Sequence, residues 1–227
     1  MSGVFVVGTD TGVGKSLVAA ALLHRLGEQH ARVVGMKPVA AGATCDEAGT
    51  WANEDVLALQ AASTIDAPAA LRNPCLLKAA VSPHIAARRD GVVIDVGHIV
   101  SCAAALRSQA DVVVVEGAGG FRVPLGDSLD GADLAVALRL PLVLVVGLKL
   151  GCLNHALLTI ESIAARGLTL AGWVVNRIDP HMPEQEANIE LLERRIAAPC
   201  LGDIPHRLPP DARQAASRLR LPSGFPA

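Results

Sequence analysis

Near the start of the chain an apolar, β-branched run, Val4-Phe5-Val6-Val7, breaks into Gly8-Thr9-Asp10-Thr11-Gly12-Val13-Gly14-Lys15-Ser16, and Leu17 to Gln29 then has helical spacing. That succession constrains the fold more than any other feature. Glycines let the backbone wrap closely around an anion with its N–H groups turned inward, a lysine adds a point charge, and a hydroxyl can meet a phosphate-bound Mg²⁺. The strict phosphate-loop pattern keeps four residues between its glycines, whereas five separate Gly8 from Gly14. The spelling departs from the pattern but the chemistry is retained. Gly12, Val13, Gly14, Lys15 and Ser16 are therefore expected to hold phosphates, with Leu17 opening the following helix.

A loop of this kind needs an α/β sheet around it, and the rest of the sequence agrees. Its 51% apolar content is carried by short Ala, Val and Leu runs, the pattern of parallel strands buried on both faces. The expectation is a mostly parallel sheet flanked by helices, P-loop NTPase-like, as a single domain over residues 1–227. The Pro- and Arg-containing tail from about 208 reads as loosely structured. With 22 acidic against 20 basic residues and no long Lys/Arg block, nucleic acid is not an obvious partner. The five cysteines form no C-x-x-C pair, which argues against a zinc site or disulfide framework. Neither a secretory leader nor a bilayer-spanning run is visible, so a cytoplasmic location and no membrane partner are expected.

In an open parallel sheet, ligands bind beyond the carboxyl ends of the strands, so the residues there carry the functional argument. Arg32 to Met36 reads as a strand delivering Lys37-Pro38. Ala43 to Ala52 reads as loop, and Asn53 caps a helix running to about Ala62 with Glu54 and Asp55 in its first turn. Asp55 gains interest only if the fold brings it to Ser16 and a metal. Ala67 to Lys78 has no clear pattern. The strand Asp111–Val115 ends in Glu116-Gly117-Ala118-Gly119-Gly120, a carboxylate followed at once by room for phosphates. Leu142–Gly147 leads into Gly151-Cys152-Leu153-Asn154-His155 and a helix to Ala165. There the first N–H groups offer an anion site, and Asn154 also reads as an ordinary cap. Leu168–Val175 ends in Asn176-Arg177-Ile178-Asp179, similar to the Asn-Lys-x-Asp element that reads guanine, although a strand-end Asn serves an adenine edge equally well. A charged helix from Glu184 to Ile196 and a short strand before Pro205-His206-Arg207 complete the pattern.

Taken together, the long phosphate loop, Lys37-Pro38-Val39, Ser82-Pro83-His84, Val115-Glu116-Gly117-Ala118-Gly119-Gly120, Lys149-Leu150-Gly151-Cys152-Leu153-Asn154-His155 and Gly202-Asp203-Ile204-Pro205 resemble the dethiobiotin synthetase family. The resemblance covers residues 4 to about 207. It implies an ATP- and Mg²⁺-dependent cyclo-ligase of biotin biosynthesis that takes 7,8-diaminopelargonate and CO₂. By this resemblance Lys15 and the loop amides hold phosphates, Ser16, Asp55 and Glu116 surround Mg²⁺, and Gly117, Ala118 and Gly119 lie along the nucleotide. Lys37 and Lys15 act in catalysis, and Thr11 helps to place the substrate. Gly151, Cys152, Leu153 and Asn154 capture the substrate carboxylate across a homodimer, and Asn176, Arg177, Pro205, His206 and Arg207 line the adenine.

The sequence also departs from that family. Some relatives carry Ser where Ala41 stands and Glu where Gly12 stands, and a tyrosine that one branch uses at the substrate carboxylate has no counterpart in a chain without Tyr. The rival reading is a partner-switching ATPase of the chromosome- or septum-positioning class. Such proteins carry an additional lysine early in the loop, whereas residues 9–13 are Thr, Asp, Thr, Gly and Val.

Overall fold

The computed structural model describes residues 3–225. In chain order, the first half comprises β1 (Gly3–Gly8), α1 (Lys15–Gly27), β2 (Val33–Met36), β3 (Val39–Ala41), β4 (Thr44–Cys45), β5 (Trp51–Ala52), α2 (Glu54–Ala62), α3 (Ala69–Arg72), β6 (Cys75–Leu77) and α4 (Pro83–Asp90). The second half comprises α5 (Val96–Gln109), β7 (Val112–Glu116), α6 (Gly131–Leu138), β8 (Leu142–Gly147), α7 (Cys152–Ala165), β9 (Leu170–Asn176), α8 (Gln185–Arg195), β10 (Cys200–Ile204) and α9 (Ala212–Ala216).

Six strands form one all-parallel sheet in the order β10-β9-β8-β1-β7-β2. Burial on both faces explains the runs of Val and Leu: every residue of β1, β7 and β8 is buried. β1, the first strand, lies at the centre, with Val4 opposite Val114 on one side and Gly8 opposite Val145 on the other. Two apolar layers cover the sheet. One includes α5, α6 and α7 through Leu106, Leu134 and Ala156; the other includes α1, α2 and α9 through Leu22, Leu59 and Ala216.

Three features differ from the sequence expectation. The stretch read as loop before Asn53 contains a small antiparallel ladder, β4 with β5. The unpatterned stretch 67–78 supplies α3 and β6, and β6 pairs with β3 in a separate parallel pair. The tail is not loose: Asp211 caps α9, and Ala215, Ala216 and Leu219 bury against α1. Burying three small apolar side chains outweighs the surrounding Pro and Arg residues. No described helix is long and apolar enough to cross a membrane.

Candidate functional site

The phosphate loop takes its shape from two glycines with φ of +73° at Gly12 and +89° at Gly14, a region that side chains rarely tolerate. Gly14 is also the N-cap of α1 and brings no side chain to the helix end, which leaves the first-turn amides directed outward. A second constraint fixes the loop from below. Asn176 at the end of β9 donates its Nδ2 to Val13 O at 2.9 Å, and that nitrogen lies only 2.0 Å from where a Cβ on Gly14 would stand. Both Val13 and Asn176 are buried.

Three of the expected residues converge beside the loop. Ser16 Oγ lies 2.5 Å from Asp55 Oδ1 and 2.8 Å from Glu116 Oε1, so one hydroxyl proton serves two carboxylates. Asp55 reaches Ser16 because Asn53 accepts from Asp55 N and starts α2 at that point. Glu116 arrives at the end of β7, one strand away from Ser16's loop.

Lys37, immediately after β2, joins the same cluster. Its Nζ stands 2.5 Å from Glu116 Oε1, 2.7 Å from Asp55 Oδ2 and 3.2 Å from Gly117 O. All three ammonium donors are therefore used. Lys37 is 4% exposed and Glu116 is fully buried. Burial pulls the Lys37 ammonium down, but the charges of Glu116 and Asp55 and their hydrogen bonds outweigh it and lift Lys37 above the ordinary lysine value. Burial likewise pushes Asp55 up, yet Lys37 and Ser16 hold it below the usual carboxylate range. For Glu116 burial wins, and its carboxyl is raised. Lys15 is lowered to about 8 by burial and by the neighbouring Lys37 charge.

The oxygen set fits Mg²⁺. A hydroxyl and two carboxylates are hard donors, and Glu116 Oε2 is a buried acceptor without a partner among the described residues. Nowhere among those residues do three His, Cys, Asp or Glu side chains gather as a metal cage. Mg²⁺ does not need one, because it commonly takes one or two carboxylates together with substrate phosphates and water.

Further along the same edge, a cavity of about 310 Å³ opens between the loop and the ends of β9 and β10. Gly12, Leu17, Asn176, Pro205, His206 and Arg207 are among its walls. Arg177 also borders it, but its guanidinium grips Asp203 at 2.8 and 2.6 Å and Glu186 at 2.7 Å. Asp179 Oδ1 accepts from His181 N, so the Asn-Arg-x-Asp segment spends its acid on a turn.

The remaining expected residues lie elsewhere on the edge. Thr11 is exposed at the loop apex, and Ala118 and Gly119 follow Gly117 past the end of β7, beside the same loop. At α7 the N-cap is Gly151 at φ +94°, not Asn154, which falls one turn inside the helix and makes no capping bond. Gly wins that position because the turn needs a left-handed residue. Cys152 N already donates to Lys149 O at 3.0 Å, so Leu153 and Asn154 are left as the amides without a capping side chain. One residue that the sequence reading passed over, Asp10, stands at the loop apex and pairs with Lys149.

Known proteins resemble this chain along nearly its whole length. A family model described as an AAA domain matches residues 2–213. The chain is 57% identical to a protein of Aromatoleum aromaticum named ATP-dependent dethiobiotin synthetase BioD, over 96% of each chain. This chain belongs to the dethiobiotin synthetase family. A second member, from Ralstonia nicotianae and of the same name, is 57% identical over 96% of this chain and 94% of its own. Outside the family, the septum site-determining protein MinD of Pyrococcus horikoshii, solved with Mg-ADP, superposes with a TM-score of 0.56 at 17% identity, covering 91% of this chain and 82% of that one. A ParA family ATPase of Chlorobium tepidum gives 0.54 at 18% identity, covering 95% and 88%. At such identities these two likenesses establish the P-loop fold alone.

Proposed function

We propose that this dethiobiotin synthetase family member is an ATP-dependent cyclo-ligase that converts 7,8-diaminopelargonate and CO₂ to dethiobiotin, with ADP and phosphate as co-products. The observation that carries the reading is the convergence of Lys37, Asp55 and Glu116 on Ser16, beside Lys15, beyond β1, β2 and β7.

One amine of the substrate takes up CO₂ as a carbamate and loses a proton. The carbamate oxygen then accepts the γ-phosphoryl group of ATP, and the second amine attacks the carbamoyl carbon to close the ring as phosphate leaves. Between two anions that must approach each other, a fixed cation is the chief requirement. Lys37 supplies it, and its raised proton affinity keeps it charged. Lys15 and the amides of Gly12 to Ser16 cradle the phosphates. Ser16, Asp55 and Glu116 would hold Mg²⁺, which supplies charge neutralisation at the phosphates. Thr11, at the loop apex, helps to place the diamine.

Asn176 supports adenine over guanine. Its Nδ2 is committed to Val13 O, so the amide offers the base an acceptor that suits the exocyclic amine of adenine. Leu17, Pro205 and His206 provide walls for the ring, with Arg207 at the rim. The carboxylate of the otherwise apolar substrate is captured at the start of α7 by Leu153 and Asn154 of a neighbouring subunit in a homodimer. The 90% exposure of Leu150 and the 58% exposure of Leu158 around that helix support a partner there.

The test is phosphate release from Mg²⁺–ATP with bicarbonate, with and without the diamine, in wild type and Lys37→Ala. Release should require the diamine, yield a cyclic urea by mass and fall about 10³-fold in the variant. Diamine-independent release unaffected by Lys37→Ala would sink the reading in favour of a switch ATPase.

A further inference from the structure

β1 and β8 are neighbours in the sheet, yet the helices that follow them leave on opposite faces: α1 packs in one apolar layer and α7 in the other. Their N-termini therefore flank a crevice at the carboxyl edge, the position where α/β sheets bind ligands. Asp10 spans it. Its Oδ1 accepts from Thr11 N at 2.7 Å, its Oδ2 meets Lys149 Nζ at 3.0 Å, and its carbonyl oxygen accepts from Lys15 Nζ at 3.0 Å. Lys149 stands in the turn before α7, and its own carbonyl accepts from Cys152 N at 3.0 Å. A continuous polar path thus runs from the phosphate-loop lysine through Asp10 and Lys149 to the first amide of α7. Its ends are 137 residues apart in sequence, from Lys15 to Cys152.

We propose that Asp10 is a positioning residue that couples the phosphate loop to the anion-binding turn of α7, so that nucleotide and substrate carboxylate report on each other. The inference rests on the functional reading above, which assigns those two ligands to the two loops. The pair is poorly suited to holding up the fold. The Asp10 and Lys149 side chains are 40% and 37% exposed, and ion pairs in such settings add little to stability. It is well suited to fixing two loops relative to each other. Asp10 accepts bonds from both sides of the crevice and has no other side-chain partner shown. Its carboxyl is held below the usual range chiefly by the Lys149 hydrogen bond, against burial, with Thr11 N and the charge of His155 acting in the same direction as Lys149. Because α7 serves the site of the neighbouring subunit in the proposed dimer, the link would also connect two active sites.

The experiment measures the affinities of Mg²⁺–ADP and of 7,8-diaminopelargonate separately by calorimetry, on the full chain. Wild type is compared with Asp10→Asn, Lys149→Met, the double variant and Lys149→Arg. Lys149→Met should weaken Mg²⁺–ADP about fivefold although Lys149 lies outside the phosphate loop, and this is the deciding arm, because Asp10→Asn, which should weaken the diamine about fivefold, also loosens Thr11. The double variant should be no weaker than the weaker single variant. Lys149→Arg, which keeps both charges, should stay within about twofold of wild type and shows that a loss elsewhere is not misfolding. The inference is overturned if Lys149→Met leaves Mg²⁺–ADP affinity unchanged, or if the two losses multiply in the double variant. Wild type that binds Mg²⁺–ADP but not the diamine overturns the functional reading and the inference together; wild type that binds both, with variants showing no cross-effect, overturns the inference alone.

Discussion

Beyond β1, β2 and β7, Lys37 and Glu116 meet with their charges withdrawn from water and Asp55 joins them from the rim, whereas beyond β9 and β10, Arg177 meets Asp203 and Glu186 with solvent still at hand. In the first region every group has a shifted proton affinity, and Glu116 keeps one oxygen without a partner. In the second, a bidentate pair satisfies the guanidinium and leaves Leu17, Ile204 and Pro205 as apolar walls. Burial makes charge expensive and therefore responsive to a ligand. Pairing at the surface makes charge inert, which suits the adenine site proposed for that region.

The largest expected effect breaks the buried region. Glu116→Gln should lower the turnover of diamine-dependent phosphate release about 10³-fold, because Lys37 loses its closest charge partner and the proposed Mg²⁺ site would lose a carboxylate. ADP affinity measured without Mg²⁺ should change far less, since the base cavity is untouched.

Lys15 gives an intermediate effect with an informative sign. Its folded value, about 8, lies below the ordinary 10.5, so between those values the unfolded chain binds more protons and stability rises with pH. Below pH 8 the buried ammonium costs about 3 kcal/mol of folding free energy. Lys15→Met should therefore raise the melting temperature at pH 7 while abolishing nucleotide binding, and the gain should vanish as the pH approaches 10.5. A variant that is destabilised at pH 7 would show that the ammonium is not strained there.

The smallest effect belongs to the surface pair. Asp203→Asn should cost no more than about 1 kcal/mol in denaturant unfolding and leave ADP affinity within about threefold. A loss as large as that of Glu116→Gln would erase the distinction between the two regions.

Legibility in the sequence follows the same physics. β8 is read to the residue, because a six-residue buried run ending in glycine has only one reading. The positions of Ser16, Lys37 and Glu116 are also readable, since each stands where a strand or its turn ends, whereas Asp55 reads only as a first-turn acid until the start of α2 is seen beside Ser16. What escaped depends on distant partners. β3 and β6 are three residues each, and neither is a strand without the other, more than thirty positions away. The helical pattern of α1 shows one apolar face through Val18, Ala21, Leu22 and Leu26, yet Ala19, Ala20 and Leu23 are buried too, because α2 and α9 also pack on the helix. Asp10 reads as ordinary turn chemistry until Lys149, 139 residues later, is seen beside it.

The central place of β1 bears on the order in which the chain is made. The phosphate loop leaves the ribosome about a hundred residues before β7 and longer still before β8, the two strands that flank β1, and the apolar cover of α1 is finished by residues 215, 216 and 219. A growing chain therefore carries the loop residues for more than a hundred positions before the sheet that displays them is in place. A fragment that stops before β8 has every residue of the loop but only one of the two neighbours that hold β1 in place.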